Sequence, residues 1–291
     1  MLSVLTQFFS GLTTAMFLFL LASGLSLIFG VSRVINVSHG AFYMLGAYLM
    51  VTVSKMAPVD LVGFALLAVF GSVCVGLLGG VVEWLILRRV YKGGMLFVAL
   101  VTFGILAVME EVAKIIWGAE LTTVSRPSLL DGSATLFGGS LPRYDLVLIG
   151  AGLVLALGIW AIVEKTRFGL LIRAASVDRE MLAALGVDVP RVFTITFAFG
   201  AGLAGLAGIL AAPMVSISPT MGSSIIIEAF AVVVIGGLGS LPGSLLGAFI
   251  VGEALAFGIL LIPGLALVMV YLLMAIILIL RPEGLLGGSK S

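Results

Sequence analysis

The stretch FFSGLTTAMFLFLLASGLSLIFGVSRVINVSHG, Phe8 to Gly40, decides how the rest of the chain is read. From Phe8 to Gly30 it carries no charge. That run exceeds the roughly 18 apolar residues that mark a membrane-crossing helix. Then the hydrocarbon stops. RVINVSHG, with Asn36, Ser38, His39 and Gly40, intervenes before a second apolar run begins at Ala41. In lipid a backbone must satisfy its own hydrogen bonds, so such a break is tolerated only where protein or a water-filled cavity covers it.

Outward from this stretch the pattern repeats. Nine apolar segments lie at roughly 8–30, 41–56, 61–87, 95–117, 146–163, 192–212, 223–238, 245–262 and 265–280. Between them stand APVD, RRVYKGG, a long stretch from Gly118 to Asp145, GLGSLPGS and PG. The 291 residues are 62% hydrophobic and 10% charged, with a mean hydropathy of +1.32. Soluble chains are about a quarter charged. The expectation is an all-α polytopic membrane protein: one transmembrane domain over 1–291 with about nine segments, some of them broken or re-entrant. A net charge of +1 argues against nucleic acid, whose phosphates need a concentrated basic patch. The lone Cys74 sits in an apolar run and reads as a small core residue. The opening MLSVLTQFFSG lacks the basic region of a cleavable signal, so the first span is expected to be retained.

A second break, PMVSISPTMG, places Pro213 and Pro219 around Ser216 and Ser218 in the other half of the chain. Two breaks near opposite faces fit an inverted repeat, a plan common in transporters.

Lysine and arginine give the orientation. With 164–191 cytoplasmic, alternating the spans puts eleven of the fifteen basic residues on that side. They are Arg33, Arg88, Arg89, Lys92, Lys165, Arg167, Arg173, Arg179, Arg191, Arg281 and Lys290; Lys55, Lys114, Arg126 and Arg143 fall opposite. The expectation is an N-terminus outside and a C-terminus in the cytoplasm.

RAASVDREMLAALGVDVPRV, Arg173 to Val192, is therefore a cytoplasmic helix. Asp178 and Glu180 fall in its first turn, where carboxylates suit the positive end of the helix dipole. Val177, Met181, Ala184 and Leu185 form one apolar stripe. Gly186 suits a left-handed C-terminal cap, and Pro190 forbids continuation. Two readings stand: an ordinary connector between spans, or a docking helix that offers its side to a cytosolic partner.

Glu228 and Glu253 are carboxylates inside apolar runs. Each would cost about 2.5–3.5 kcal/mol at the centre of a bilayer. Each should therefore face water, as pathway lining or proton coupling, or tether a neighbouring loop. His39 is the one histidine and reads either as a structural hydrogen-bonder or as a proton relay. Gly200–Ala204–Gly208 and Gly239–Gly243–Gly247 are ladders of small residues that let helices approach closely.

Several motifs mislead. GAGLAG (Gly200–Gly205) matches a dinucleotide fingerprint but lies inside a transmembrane run, with no strand before it. The tail GLLGGSKS lacks the adjacent Gly-Lys of a phosphate loop, and no Walker A motif, H-E-x-x-H or cysteine-histidine cluster occurs. Ser38 and His39 are neighbours with no acid to orient a base, which argues against a hydrolase. The chain reads as a transport subunit that is not an enzyme and binds no cofactor. An external motor, an ion gradient or passive flow must drive it.

At this point the sequence resembles the permease subunits of branched-chain amino acid ABC importers, the LivH type in particular. GLSLIFGVSRVINVSHGAFYMLGAYL is similar to the family's first signature, with Arg33–Gly40 as its core. RFGLLIRAASVDREMLAALGVDVPRV resembles its cytoplasmic loop, and FAVVVIGGLGSLPGSLLGAFIVGEAL its glycine-rich signature. RPEGLLG is similar to its ending. The family's coupling helix is built around E-A-A-x-x-x-G. Glu180 and Gly186 hold the outer positions here, while Met181 and Leu182 replace the alanines. The resemblance implies that Arg173, Asp178, Arg179, Glu180, Met181, Leu182, Leu185 and Gly186 seat in a cleft of an ATP-binding subunit.

It further implies alternating access across a bacterial inner membrane. Two cytosolic ATPases would hold ATP and magnesium. An M-type permease would complete a heterodimer, and a periplasmic binding protein would deliver the solute. The implied substrates are branched-chain or other hydrophobic amino acids, amides, urea or small carboxylates. Asn36, Ser38, His39, Gly40, Ser216, Ser218 and Glu228 are candidates for the pathway lining. The rival readings are a proton-coupled secondary carrier acting through Glu228, Glu253 or His39, and a channel-like facilitator.

Overall fold

Uninterrupted apolar runs must close their backbone hydrogen bonds within the segment, and they become helices. A computed structural model describes residues 2–56, 59–136 and 139–287. Ala57 and Pro58 of APVD, Lys290, and the last four residues of GLLGGSKS lie outside the described residues. All nine apolar segments are helical. They are α1 (Leu2–Ser32), α2 (His39–Met56), α3 (Leu61–Val82), α4 (Met95–Trp117), α5 (Arg143–Lys165), α8 (Val189–Ala211), α9 (Met221–Gly236), α10 (Leu241–Leu261) and α11 (Ala266–Leu280). Two further helices, α6 (Arg167–Val177) and α7 (Arg179–Ala184), fill the loop between α5 and α8.

Seven of the nine, among the described residues, are long and apolar enough to cross a membrane. The other two are α2 and α9. At about 1.5 Å per residue, the 16 residues of α9 reach about 24 Å, short of a 30 Å core. Both follow the breaks seen in sequence. The nine-segment expectation is thus met as nine helices, two of which start inside the bundle.

Those two helices meet head to head. A Cβ placed on Gly40 would overlap the Gly222 carbonyl, and one on Gly222 would press on the Gly40 backbone. Each glycine is the second residue of its helix. From this crossing α2 runs toward Trp117, whose indole N–H donates to Thr52 Oγ1 at 2.8 Å. α9 runs the opposite way, toward the C-terminal segment, where Leu285 N–H donates to the Ile235 carbonyl at 2.8 Å.

The same reciprocity extends through both halves. α1 and α8 cross at Gly24 and Gly200, each leaving no room for a Cβ on the other. α3 packs along α8, and α10 packs along α1. Asp60 caps α3 by accepting from Gly63 N–H at 2.7 Å, and Ser240 caps α10 by accepting from Gly243 N–H at 3.1 Å. The trio α1–α2–α3 and the trio α8–α9–α10 are therefore arranged as inverted copies. The Gly200–Ala204–Gly208 ladder lies in this core, with Gly208 against the Tyr43 carbonyl.

Three features differ from the sequence reading, the first being Cys74, which is exposed on α3 rather than a core residue. The stretch from Gly118 to Asp145 holds an antiparallel hairpin, β1 (Ser133–Leu136) with β2 (Gly139–Pro142), in register Ser133↔Pro142 to Leu136↔Gly139. Its four-residue strands are too short to show period-two patterning. The polar helix expected over Arg173–Val192 is divided among three helices: Asp178 takes extended backbone (φ −145°, ψ 106°) and starts α7, and Val189 starts α8.

Candidate docking and translocation sites

The loop between α5 and α8 is built by consecutive caps. Thr166 Oγ1 accepts from Gly169 N–H to start α6. Asp178 Oδ1 accepts from Met181 N–H at 2.9 Å to start α7, so Asp178 is the cap itself and Glu180 stands in the first turn. At the far end Gly186 adopts φ +85°, and Val187 N–H reaches back to the Leu182 carbonyl at 3.3 Å. That six-to-one closure with a left-handed glycine is the Schellman motif. Nothing lies near a Cβ at Gly186, so its conformation alone calls for glycine there.

Packing separates the candidate residues into two sets. Leu182 is buried and pins α7 to the bundle. Arg173 ties α6 to the end of α5, pairing with Glu164 at 3.3 Å and donating to the Val163 carbonyl. Met181, Leu185 and Val177 instead point outward, 59%, 73% and 81% exposed. With Ala184 they form an apolar tip whose polar neighbours are Asp178 and Glu180. This exposure lies in the loop rather than on a membrane helix, where apolar exposure is ordinary. An exposed apolar patch with a polar rim marks a protein interface.

Arg33 joins this end to the first break. Its φ is +54°, a left-handed conformation that costs a non-glycine residue about 1–2 kcal/mol. Its guanidinium donates to the Ser176 carbonyl at 2.9 Å. Arg179 lies half-buried with its guanidinium 5.1 Å from the Phe193 ring centroid. Burial, and then the neighbouring charge of Arg33, hold Arg179 below the usual arginine range.

The break residues themselves are sealed inside. Asn36, Ser38, His39 and Gly40 are all buried. Ser38 Oγ donates to Asn36 Oδ1 at 2.7 Å, and His39 Nε2–H donates to the Leu21 carbonyl at 3.0 Å. Val37 N–H donates to Thr102 Oγ1 at 3.1 Å. This knot fastens the start of α2 to α1 and α4. At the second break, Thr122 and Ile217 exchange backbone hydrogen bonds at 2.9 and 2.8 Å. Glu110 accepts from Ser223 N–H at 3.0 Å, setting a carboxylate at the start of α9. Ser216 is exposed in this loop, and Ser218 lies 3.4 Å from the Thr220 hydroxyl.

Glu228 stands apart from the other pathway candidates. It lines a cavity of about 690 Å³ together with Gln7, Ser10 and Thr14 of α1 and Leu255, Ala256 and Ile259 of α10. Gln7, Ser10 and Thr14 recur at helical spacing and so share one face of α1. Gln7 also donates to the Ala256 carbonyl. The cavity extends past Pro263 and Gly264, at the end of α10 remote from α7. Glu253 points elsewhere: its carboxylate lies against Gly11, between α1 and α10, with both oxygens unpartnered. A second cavity, about 520 Å³ between α3 and α5, is lined almost wholly by hydrocarbon and suits an acyl chain.

Sequence reasoning passed over Gln7, Ser10, Thr14, Thr102, Glu110 and the buried Glu83, which accepts from the Thr194 hydroxyl. For Gln7–Ser10–Thr14 the signal was present as polar residues at helical spacing in an apolar run. The others are isolated polar residues whose partners lie far off in sequence.

A helical bundle with paired broken helices, a cavity lined in part by polar side chains and a carboxylate, and a loop with an exposed apolar tip fits a multi-pass transport permease. The family model described as branched-chain amino acid transport system, permease component, matches residues 7–280. The chain belongs to that family. It is 27% identical to the high-affinity branched-chain amino acid transport permease BraD of Pseudomonas aeruginosa, over 98% of this chain and 96% of the relative. It is 29% identical to the corresponding LivH permease of Escherichia coli strain K12, with the same coverage. A shorter likeness, 35% over 32% of this chain, links it to the fructose import permease FrcC of Rhizobium meliloti. No solved structure matches the chain.

Proposed function

We propose that the chain is the H-type permease of an ATP-driven importer for branched-chain or related hydrophobic amino acids. It sits in the inner membrane with its N-terminus outside. The carrying observation is the rigid α7 tip, capped at both ends and apolar where it is exposed. Two ATP-binding subunits, which hold the nucleotide and its magnesium, receive that tip through Glu180, Met181 and Leu185. A periplasmic binding protein delivers the amino acid to the opposite end, and an M-type permease completes the pair. ATP must stabilise one permease state over the other, because only differential binding shifts an equilibrium. The Glu228 cavity lies on the solute's route, with the carboxylate available to the amino acid's ammonium group.

The cavity also keeps the proton-coupled carrier in view, since a carboxylate facing water is what such a carrier needs. Reconstitution in proteoliposomes separates the two. The importer reading expects no uptake by the permease pair alone. Uptake should appear when ATP-binding subunits, binding protein and ATP are added. Uptake by the permeases alone under a pH gradient would overturn it.

A further inference from the structure

A second polar cavity, of about 450 Å³, opens beside α7 and is lined by Arg33, Tyr91, Met95, Ser176 and Arg179. Two arginines and two carboxylates line it, yet the arginines are not paired with them. Arg33 and Arg179 line it together, and burial first and then the charge of Arg33 lower the proton affinity of Arg179. Neither forms an ion pair with a carboxylate among the described residues. One guanidinium nitrogen of Arg179, Nη2, is buried with no hydrogen-bond partner. Asp178 and Glu180 also line the cavity. Asp178 already accepts from Met181 N–H, and Glu180 is exposed.

Two neighbouring guanidiniums, one partly buried and short of a partner, oppose folding of the isolated chain. An anion beside them would reverse that effect. Arg33 holds its place despite a backbone angle that glycine would adopt freely. The benefit therefore lies in its side chain.

We propose that this cavity receives a carboxylate side chain of the ATP-binding subunit, gripped between Arg33 and Arg179. The inference rests on the docking role given to α7 above. Guanidinium forks match a carboxylate in geometry as well as in charge. The cavity adjoins the exposed Met181–Leu185 tip, so one partner surface can fill both. The grip would also tie the ATPase to Arg33 and thus to the break that leads into α2. Movement of the ATPase would then pull on the bundle's interior.

The test uses the full transporter in nanodiscs, with Arg179→Gln, Arg33→Gly and the double variant. Arg89→Gln serves as an exposed basic control at the same end. Affinity for the ATP-binding subunit is titrated against NaCl, in discs of neutral lipid and of anionic lipid. Each single variant should weaken binding by about tenfold or more and flatten its salt dependence. The double variant should add little, since the two arginines share one anion. Arg33→Gly relieves backbone strain but also removes the hydrogen bond to the Ser176 carbonyl, so size-exclusion profiles of each variant check that the transporter is folded.

Unchanged affinity in both single variants would overturn the proposal. So would a loss confined to anionic discs, which would assign the cavity to a lipid phosphate. Leu185→Asp separates this proposal from its foundation. If that variant abolishes binding while the arginine variants do not, the carboxylate grip alone fails. If Leu185→Asp also leaves binding intact, the docking role of α7 fails.

Discussion

At the scale of the residue, conformation and chemistry make different demands. Gly186 is constrained by its φ of +85° and by nothing around it. Gly186→Ala should therefore cost about 1 kcal/mol of local backbone strain without a clash. The expected result is a normally inserted permease whose ATP turnover is less responsive to the loaded binding protein. Gly186→Asn should recover most of the response, because asparagine tolerates the left-handed region. Parallel ATPase assays on the three proteins check this, and equal loss in both variants would refute it. Glu228 poses a chemical question. Glu228→Gln preserves shape while removing the ionisable carboxyl group that lines the cavity. Subunit assembly should be intact and uptake reduced by about tenfold, the effect of about 1.4 kcal/mol. Unchanged uptake would remove Glu228 from the pathway.

At the scale of the element, glycines that look alike in sequence do unlike work. Gly208 lies against the Tyr43 backbone and Gly46 against Gly205, whereas Gly104 and Gly150 face open space. Gly208→Leu should prevent folded protein from accumulating, since a backbone neighbour cannot yield as a side chain can. Gly104→Ala should be neutral or stabilising by up to about 1 kcal/mol through helix propensity alone. Size-exclusion profiles of tagged protein read both outcomes. This contrast also shows where sequence reading succeeds. The helices over 8–30, 95–117 and 245–262 are legible because apolar length forces them, and Gly186 announces the end of α7, whereas the fresh start at Asp178 was not read from the sequence. Which glycine meets which is decided by crossings such as Gly40 with Gly222, between residues far apart in sequence. The same limit hid Glu110, whose partner at Ser223 lies on another helix. Of the candidate sites, the exposed apolar tip of α7 was legible because it is local. The Glu228 cavity was legible only in its carboxylate, since its other wall comes from α1.

At the scale of the whole molecule, charge orders the two ends. Arg33 touches Ser176 beside α7, and Arg179 lies on Phe193 at the start of α8. Lys55 and Arg126 instead share a cavity at the end where α2 stops and α4 meets its loop. The basic residues therefore separate in space as they do along the chain, and the richer end holds the exposed tip of α7. The inverted trios make this asymmetry informative, because a repeat built from opposed copies has no intrinsic outside. Lysine and arginine near the spans must break the tie. Labelling with a membrane-impermeant maleimide tests that argument directly. Cys74 is the chain's one cysteine, and Cys74→Ala gives a blank background. On it, Glu180→Cys and Ser125→Cys occupy exposed positions at opposite ends. Ser125→Cys should react in intact spheroplasts, and Glu180→Cys only after the membrane is opened or inverted. The reverse pattern would place α7 outside the cell, where no ATP-binding subunit could reach it.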